Sequence, residues 1–349
     1  MRCTAAGLVG VLVLCLAGGA WGGAADASLA GPMRGGMNLG LPYYPSGRGA
    51  AMGGAAVALE GGDSQNPAGL GFLKKGSHDL SINYGQVKFR HGPDVDVYGT
   101  SVFFPMPLLG GTQKLMFFDV ETRHDNPSLM MGGANTDVWA RQLGLAYGTM
   151  LPVPASIGKL AFGFAGFPND PSEIRLKMGG TEVARGRGQS KIGSMRLGLL
   201  YEPTRRLSFG VMFDHIKDYL RASYTIPNIP AFGSHSNYYV NIWTLGAAYE
   251  PDDKTVISVQ EIVGRAHGEG VRAHYNIPSL GIERRVPITK SITLSLRGGW
   301  RKGSGTGGFG LTLPRGWHAD YAFTPNYGEE LKTAFGHGPF HLVSVGKSF

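Results

Sequence analysis

The sequence predicts an all-β fold, an antiparallel transmembrane β-barrel of about fourteen strands. Three observations predict it: an N-terminal export signal, a glycine-rich and charge-poor composition, and short runs in which apolar and polar residues alternate. A closed barrel suits a membrane because it satisfies every backbone hydrogen bond within the sheet, and the bilayer core offers no water as a partner.

The first 25 residues have the layout of a secretory signal peptide. Arg2 supplies a positive charge, residues 5–17 form an apolar run, and small residues follow, with cleavage expected between Ala20 and Ala25. The apolar run is shorter than the ~20 residues that a spanning helix needs. We therefore expect a secreted chain that loses this segment.

The composition fits a secreted barrel better than a soluble enzyme. Glycine supplies 56 of 349 residues and charged residues 17%, against usual shares of about 7% and about 25%. The two cysteines, Cys3 and Cys15, lie in the predicted signal, so the mature chain has no disulfide framework. The formal charge of +8 is explained either by ordinary surface charge or by a barrel interior and contacts with outer-membrane lipid and lipopolysaccharide, and nucleic acid is not an expected partner.

Alternation with a period of two marks the predicted strands. In the clearest run, Ile292, Leu294, Leu296 and Trp300 alternate with polar residues, which places them on one face of a sheet. In a barrel this face points at lipid. In the alternative fold, a soluble β-sandwich, Phe209, Leu294 and Leu296 would lie in an interior core. The predicted strands cover residues 79–90, 97–105, 112–121, 138–150, 158–168, 190–202, 206–218, 238–250, 254–265, 277–286, 290–302, 307–313, 317–325 and 339–349.

Short and long connections alternate along the chain, which is typical of outer-membrane barrels. An even number of strands places both chain ends on the short-turn side, so both termini are predicted to be periplasmic in the outer membrane of a Gram-negative bacterium. Residues 173–183 are predicted to form a hairpin within an outer loop. The short, proline-containing connections are 105–111, 151–157, 202–205, 250–253, 285–289 and 314–316, and the longer ones include 122–137, 169–189, 219–237, 266–276 and 326–338.

Two segments carry a resemblance to a known family. Residues 47–73 are rich in small residues and contain an Asn-Pro-Ala-Gly motif, and residues 320–325 precede a terminal strand, 341–349, that ends in phenylalanine. Together they resemble the FadL and PorV families of outer-membrane proteins. The resemblance implies a barrel over 76–349 and a small luminal plug over 26–75. The candidate gating or ligand-binding residues that it implies are Gly53, Gly54, Asp63, Asn66, Pro67, Ala68 and Gly69. The alternative is that this segment forms only a tight turn that leads into the first strand.

The resemblance leaves two functions open. The FadL branch implies passive transport of hydrophobic small molecules such as long-chain fatty acids, and the PorV branch implies an adaptor whose partners are secretion-system proteins. Leu129, Met130 and Met131 form an apolar stretch in a predicted outer loop. They are expected either to capture a hydrophobic ligand, because methionine-rich surfaces adapt to varied shapes, or to pack over the barrel mouth.

The motifs of common enzymes and cofactor sites give no positive indication. Residues 303–308 match G-x-G-x-x-G, but a strand rather than a helix is predicted to follow, so they are expected to form a loop. His337 and His341 lie four residues apart but not on a predicted helix. We expect no enzyme activity, no cofactor and no metal site, with a barrel enzyme as the remaining alternative.

Overall fold

The chain forms a closed antiparallel barrel of fourteen strands, to which one extra hairpin is added. The computed structural model describes residues 46–61, 65–74, 76–90, 94–106, 110–123, 134–167, 172–178, 181–190, 194–226, 229–268, 271–326 and 338–349. The strands are β1 (Asp79–Lys88), β2 (Asp94–Met106), β3 (Gly111–Arg123), β4 (Ala134–Leu151), β5 (Lys159–Phe167), β6 (Ser172–Met178), β7 (Thr181–Ser190), β8 (Ser194–Thr204), β9 (Leu207–Ile226), β10 (Ile229–Asp252), β11 (Thr255–Gly268), β12 (Val271–Pro287), β13 (Thr293–Arg301), β14 (Ser304–Thr312), β15 (Trp317–Thr324) and β16 (Phe340–Ser348).

The first and last strands close the barrel. Asp79 pairs with Ser348 and Val87 with Phe340, so β1 and β16 form an antiparallel ladder along their length. The other wall strands pair with their neighbours in chain order, and β5 pairs directly with β8. The two remaining strands, β6 and β7, form a hairpin that pairs with β4 on one side and β9 on the other. This hairpin confirms the one predicted around residues 173–183.

The outer face of the barrel is apolar. Phe209 is 42% exposed, Leu296 49% and Trp243 50%, although all three lie within well-paired strands. Their inward neighbours Ser208 and Ser295 are buried. Large apolar side chains on an exposed barrel face are what a lipid environment requires. The β-sandwich alternative is therefore wrong, because it would bury Phe209 and Leu296 between two sheets.

The two ends of the barrel differ, as predicted. Turns of two residues join β8 to β9 and β10 to β11, and a 3-10 helix, Pro314–Gly316, joins β14 to β15. His78 and Phe349 exchange backbone hydrogen bonds at this same end. At the opposite end β9 and β10 continue to 20 and 24 residues. The predicted loop over 219–237 is thus wrong: most of this segment extends both strands beyond the ~9–11 residues that a bilayer needs.

Helical structure in the described residues is confined to short pieces. Helix α1 (Gly47–Ala51) is capped by the Ser46 hydroxyl, which accepts a hydrogen bond from the Gly49 amide at 3.1 Å. A 3-10 helix follows at Pro67–Phe72. Within the part of the chain that the structure describes, no helix is long and apolar enough to cross a membrane. The predicted signal peptide lies outside the described residues, and the boundaries 26–75 for the plug and 76–349 for the barrel stay predictions.

Candidate functional site

Residues 46–74, which we call the plug, lie against the inner face of the barrel. Of these, 46–61 and 65–74 are described. Ala51, Val57, Asn66 and Ala68 are fully buried. Val57 belongs to one apolar cluster with side chains from β5, β8, β9, β10 and β11, which places this part of the plug within the lumen.

Glycines of the barrel wall receive the plug backbone. An added Cβ on Gly246 would lie 2.5 Å from Val57 Cγ1, and one on Gly281 would lie 2.6 Å from Met52 Cβ. On Gly163 it would overlap the Pro67 carbonyl carbon. Only glycine permits so close an approach of two chains. We call this set, which comes from eight strands, the wall glycines: Gly148, Gly163, Gly198, Gly210, Gly246, Gly281, Gly299 and Gly308.

Polar side chains of the wall satisfy the plug backbone between these contacts. The Gln260 side-chain carbonyl accepts hydrogen bonds from the amides of Ala56 at 3.1 Å and Val57 at 2.9 Å. Such bonds replace the regular structure that the plug lacks over this stretch. Three wall hydroxyls donate to plug carbonyls: Ser208 to Ala58 at 2.7 Å, Ser258 to Ala55 at 2.7 Å and Thr306 to Ala51 at 2.8 Å.

The Asn-Pro-Ala-Gly motif joins the plug to the wall through Asn66. The Asn66 amide donates to the carbonyls of Leu199 at 2.8 Å and Val57 at 3.1 Å, and its oxygen accepts from the Ala68 amide at 3.0 Å. Asn66 has extended backbone, as the following Pro67 requires, and caps the 3-10 helix. The motif therefore ties together the helix, the preceding plug segment and strand β8.

The other candidate residues divide into placed and undescribed ones. Gly53 and Gly54 form a tight turn with φ of +70° and +84°, a region that favours glycine. A Cβ on Gly53 would also lie 2.6 Å from the Trp300 carbonyl oxygen. Gly69 continues the 3-10 helix and is buried. Asp63 and the predicted capture residues, Leu129, Met130 and Met131, lie outside the described residues.

A buried charge cluster anchors helix α1. The Arg48 guanidinium donates two hydrogen bonds to Glu283, at 2.9 and 3.0 Å. Glu283 also accepts from Arg297 Nε at 2.7 Å and from Arg285 Nε at 3.0 Å. Arg297 in turn pairs with Asp320. The cluster was not predicted, because its members come from distant parts of the chain.

A second buried pair holds the plug from the other side of the lumen. Arg196 on β8 pairs with Asp214 on β9, and the Arg196 side chain also donates to the Gln65 carbonyl at 2.8 Å. Both charged side chains are almost fully buried. A buried pair of this kind needs further hydrogen bonds, and one of them is supplied by the plug itself.

Acidic groups gather where the plug nears the short-turn end. Burial raises the pKa of Glu60 above its usual value, and the neighbouring Glu202 carboxylate raises it further. Lys159 forms an ion pair with Glu202 at 2.8 Å and opposes this shift. The Glu60 segment thus faces a mixed polar rim, unlike the apolar plug segment before it.

Two wall strands change partner beside the plug. Among the described residues, β4 pairs with β5 as far as Leu145 and with β6 from Trp139. On β9, described pairing with β8 reaches Ile216 and pairing with β7 starts at Leu220. Both changes of partner lie directly above the part of β5 and β8 that contacts the plug.

A small cavity remains on the loop side of the plug. Its volume is about 20 Å³, room for a single water molecule. Arg301 lines the cavity and is half-buried. Its side chain makes no hydrogen bond or ion pair with any described residue. The described plug residues therefore leave little free space at this point of the lumen. The lining residues are Ala50, Gly53, Gly54, Gln65, Arg301, Thr306, Thr324 and Phe340.

Replacing Asn66 by Asp will loosen the plug without unfolding the barrel. The new carboxylate would face the carbonyls of Leu199 and Val57 with no proton to donate, and each buried group left unsatisfied costs about 1–3 kcal/mol. We expect faster protease cleavage within the plug of the folded barrel. Asn83→Asp is the control, since the side chain of Asn83 makes no hydrogen bond with described residues. Equal cleavage of both variants would contradict the role of Asn66.

Comparisons with known proteins agree on the fold. No family model matches the chain, and no curated protein matches it significantly. The toluene transporter TbuX of Ralstonia pickettii is 14% identical, with a TM-score of 0.50, 87% of this chain covered and 97% of that chain. A FadL homologue of Pseudomonas aeruginosa is 10% identical, with a TM-score of 0.53 and coverage of 87% and 98%. The resemblance to FadL is thus confirmed for the fold, and this chain has the fourteen-stranded barrel fold of the FadL-type transporters.

Proposed function

We propose that the protein is an outer-membrane transporter through which hydrophobic small molecules diffuse passively. The observation that carries the proposal is a lipid-facing barrel whose lumen holds a short plug segment, attached by close backbone contacts and a few hydrogen bonds. A plug of this kind excludes an open water pore and can move without breaking the barrel ladder. The shared fold of a toluene transporter and a FadL homologue supports this function.

The ends of the barrel give the proposed transporter its direction. The start of β1 and the end of β16 lie at the same end of the barrel as the short turns, and the long strands extend from the other end. In outer-membrane barrels short turns face the periplasm. Substrate would enter at the end where β9 and β10 extend and meet the loop side of the plug.

A small apolar surface lies below the point where β4 changes partner. Ala146 on β4 and Ala165 on β5 point inward there and pack with Leu70 of the plug. A hydrophobic molecule displaced from the plug would therefore meet a small-residue apolar surface of the wall.

Arg301 favours substrates with a carboxylate, such as long-chain fatty acids. Its guanidinium remains charged at any physiological pH, and its fork of N–H donors matches a carboxylate. Phe340 lines the same cavity and belongs to an apolar cluster that includes Val87, Val95 and Leu342. A cation beside an apolar wall fits an amphipathic molecule, whereas a neutral hydrocarbon gains nothing from the charge.

Binding and uptake measurements on Arg301→Gln test the proposal at two levels: transport of hydrophobic molecules, and preference for substrates with a carboxylate. Because a hydrogen bond to a charged group contributes about 1.5–3 kcal/mol, we expect at least about tenfold weaker binding of a long-chain fatty acid. Toluene uptake should not change. The matched control is Arg205→Gln, in an exposed short turn. The assay uses vesicles or a host without its own fatty-acid transporter.

The outcomes separate the two levels. Unchanged fatty-acid binding in Arg301→Gln would overturn the carboxylate preference alone. Wild-type protein that carries neither fatty acid nor toluene would overturn transport, and secretion-system proteins recovered with it would favour the adaptor function.

A further inference from the structure

The outer face of β9–β12 carries two adjacent rows of mostly basic residues near the loop end. Register partners on neighbouring strands form each row, so their members lie side by side. The first row crosses four strands and contains His215, Asn241, Arg265 and His274. The second row, two residues farther from the short turns, contains Tyr239 on β10 and His267 on β11. We call these six positions the basic rows.

Strand alternation places the basic rows outside the barrel. Trp243 and Val263 lie two residues closer to the short turns than Asn241 and Arg265, and they are 50% and 41% exposed. Their chain neighbours Thr244 and Ile262 point inward and are buried. Arg265 follows Val263 by two residues and is likewise exposed, so it shares the lipid-facing side.

The basic rows lie at the border of the apolar belt. The rings of Phe213 and Trp243 are 4.7 Å apart and form an aromatic boundary. Since two residues of a strand span roughly 6.6 Å, the rows lie roughly 7 to 13 Å beyond that boundary along the strands. Aromatic girdles mark the interface of outer-membrane barrels, so the basic rows reach the level of the lipid headgroups.

Contacts within the rows leave the cationic groups available. A His215 ring nitrogen lies 2.7 Å from Asn241 Oδ1, and the rings of Tyr239 and His267 stack at 5.4 Å. Neither row contains a carboxylate residue. The nearest outward carboxylate residue on these strands is Glu261, which lies four residues from Arg265 along β11, toward the short turns. It accepts a hydrogen bond from Asn276.

The opposite wall carries different residues at two corresponding positions. Near the loop end of β1 and β2, these positions hold Gln86 and Asp96. The Asp96 carboxylate accepts hydrogen bonds from the Tyr84 hydroxyl at 2.8 Å and the Gln86 amide at 2.9 Å. An acidic residue thus lies there at the level where β11 carries Arg265.

We propose that the basic rows bind the phosphate groups of lipid headgroups in the leaflet at the loop end. Four strands spaced about 4.8 Å apart give a patch roughly 14 Å wide, enough for more than one phosphate. Arginine binds phosphate with paired hydrogen bonds, and an imidazole N–H donates as well. The belt below holds the acyl chains of the same lipid, which a soluble anion lacks.

Native mass spectrometry of the full chain in uncharged detergent tests this site. The probes are lipid A with two phosphates, the same lipid without phosphates, and inorganic phosphate. We expect the phosphorylated lipid to bind more tightly. Arg265→Gln with His274→Gln should weaken that binding about fivefold, since each interfacial cation contributes to anionic-lipid binding. Binding of the dephosphorylated lipid should not change.

Two comparisons make the test decisive. Arg205→Gln with Lys254→Gln changes two exposed residues at the short turns and should leave lipid binding unaltered, whereas Arg265→Lys should retain most of it. Equal binding of the two lipids by the wild type, or equal losses in both double variants, would overturn the proposal. Full competition by inorganic phosphate at the concentration of the lipid would overturn it too, because the acyl chains would then play no part.

Discussion

Replacing Gly163 by valine is expected to unseat the plug and turn a closed barrel into a conducting pore. Gly163 on β5 faces the plug where any side chain would overlap the backbone of Pro67 and Ala68. The barrel ladder is continuous on both sides of Gly163, so the plug must move and not the strand. Overpacking of this kind costs about 1–3 kcal/mol, which raises the open fraction at least about fivefold.

Conductance across planar bilayers measures this effect, with Gly166→Val as the matched control. Gly166 lies three residues farther along the same strand, and an added Cβ there meets nothing within 4 Å. Both variants should keep the electrophoretic shift between heated and unheated samples that marks a folded barrel. If Gly163→Val conducts no more than Gly166→Val, the wall glycines do not seat the plug.

Replacing Glu283 by glutamine is expected to destabilise the protein far more than replacing Arg48. The Glu283 side chain is 2% exposed and pairs with three arginines. Its neutralisation leaves those guanidinium groups close together in the lumen wall, and breaking a buried pair from one side costs about 3–5 kcal/mol. Arg48→Gln leaves Glu283 with two arginines and should cost less than about 2 kcal/mol.

Urea unfolding of the barrel in detergent micelles gives both free energies. The double variant Glu283→Gln with Arg48→Gln removes one of the crowded cations, so it should be more stable than Glu283→Gln alone. A double-mutant cycle of this kind isolates the interaction between the two residues. Equal losses for the two single variants would contradict a cluster centred on Glu283.

The wall strands could be predicted because lipid imposes a period of two on them. Where Phe209 or Leu296 faces lipid and its neighbours face the lumen, each strand lies close to its predicted position. Beyond the bilayer this contrast ends. The extension of β10 includes Pro230, Gly233 and Asn237, residue types that usually mark turns and loops.

The candidate site could be predicted only in part. The resemblance identified Asn66 and Pro67, and the structure places them at the contact between plug and wall. The wall glycines were not predicted, because a single glycine such as Gly163 is normally unfavourable within a strand. Only the high glycine content of the whole sequence was apparent. Arg48 and Glu283 are 235 residues apart, and no local pattern links them.

The seam between β1 and β16 sets the order in which this molecule can assemble. The plug immediately precedes β1, yet its contacts extend from β3 to β16, strands that are made after it. The final strand must arrive before the ring shuts, and pairing of sequence-distant segments is slow. Folding therefore has to draw the plug into the unfinished cylinder while a side is still open. In this chain, closure of the barrel and insertion of the plug into its lumen therefore belong to the same folding step.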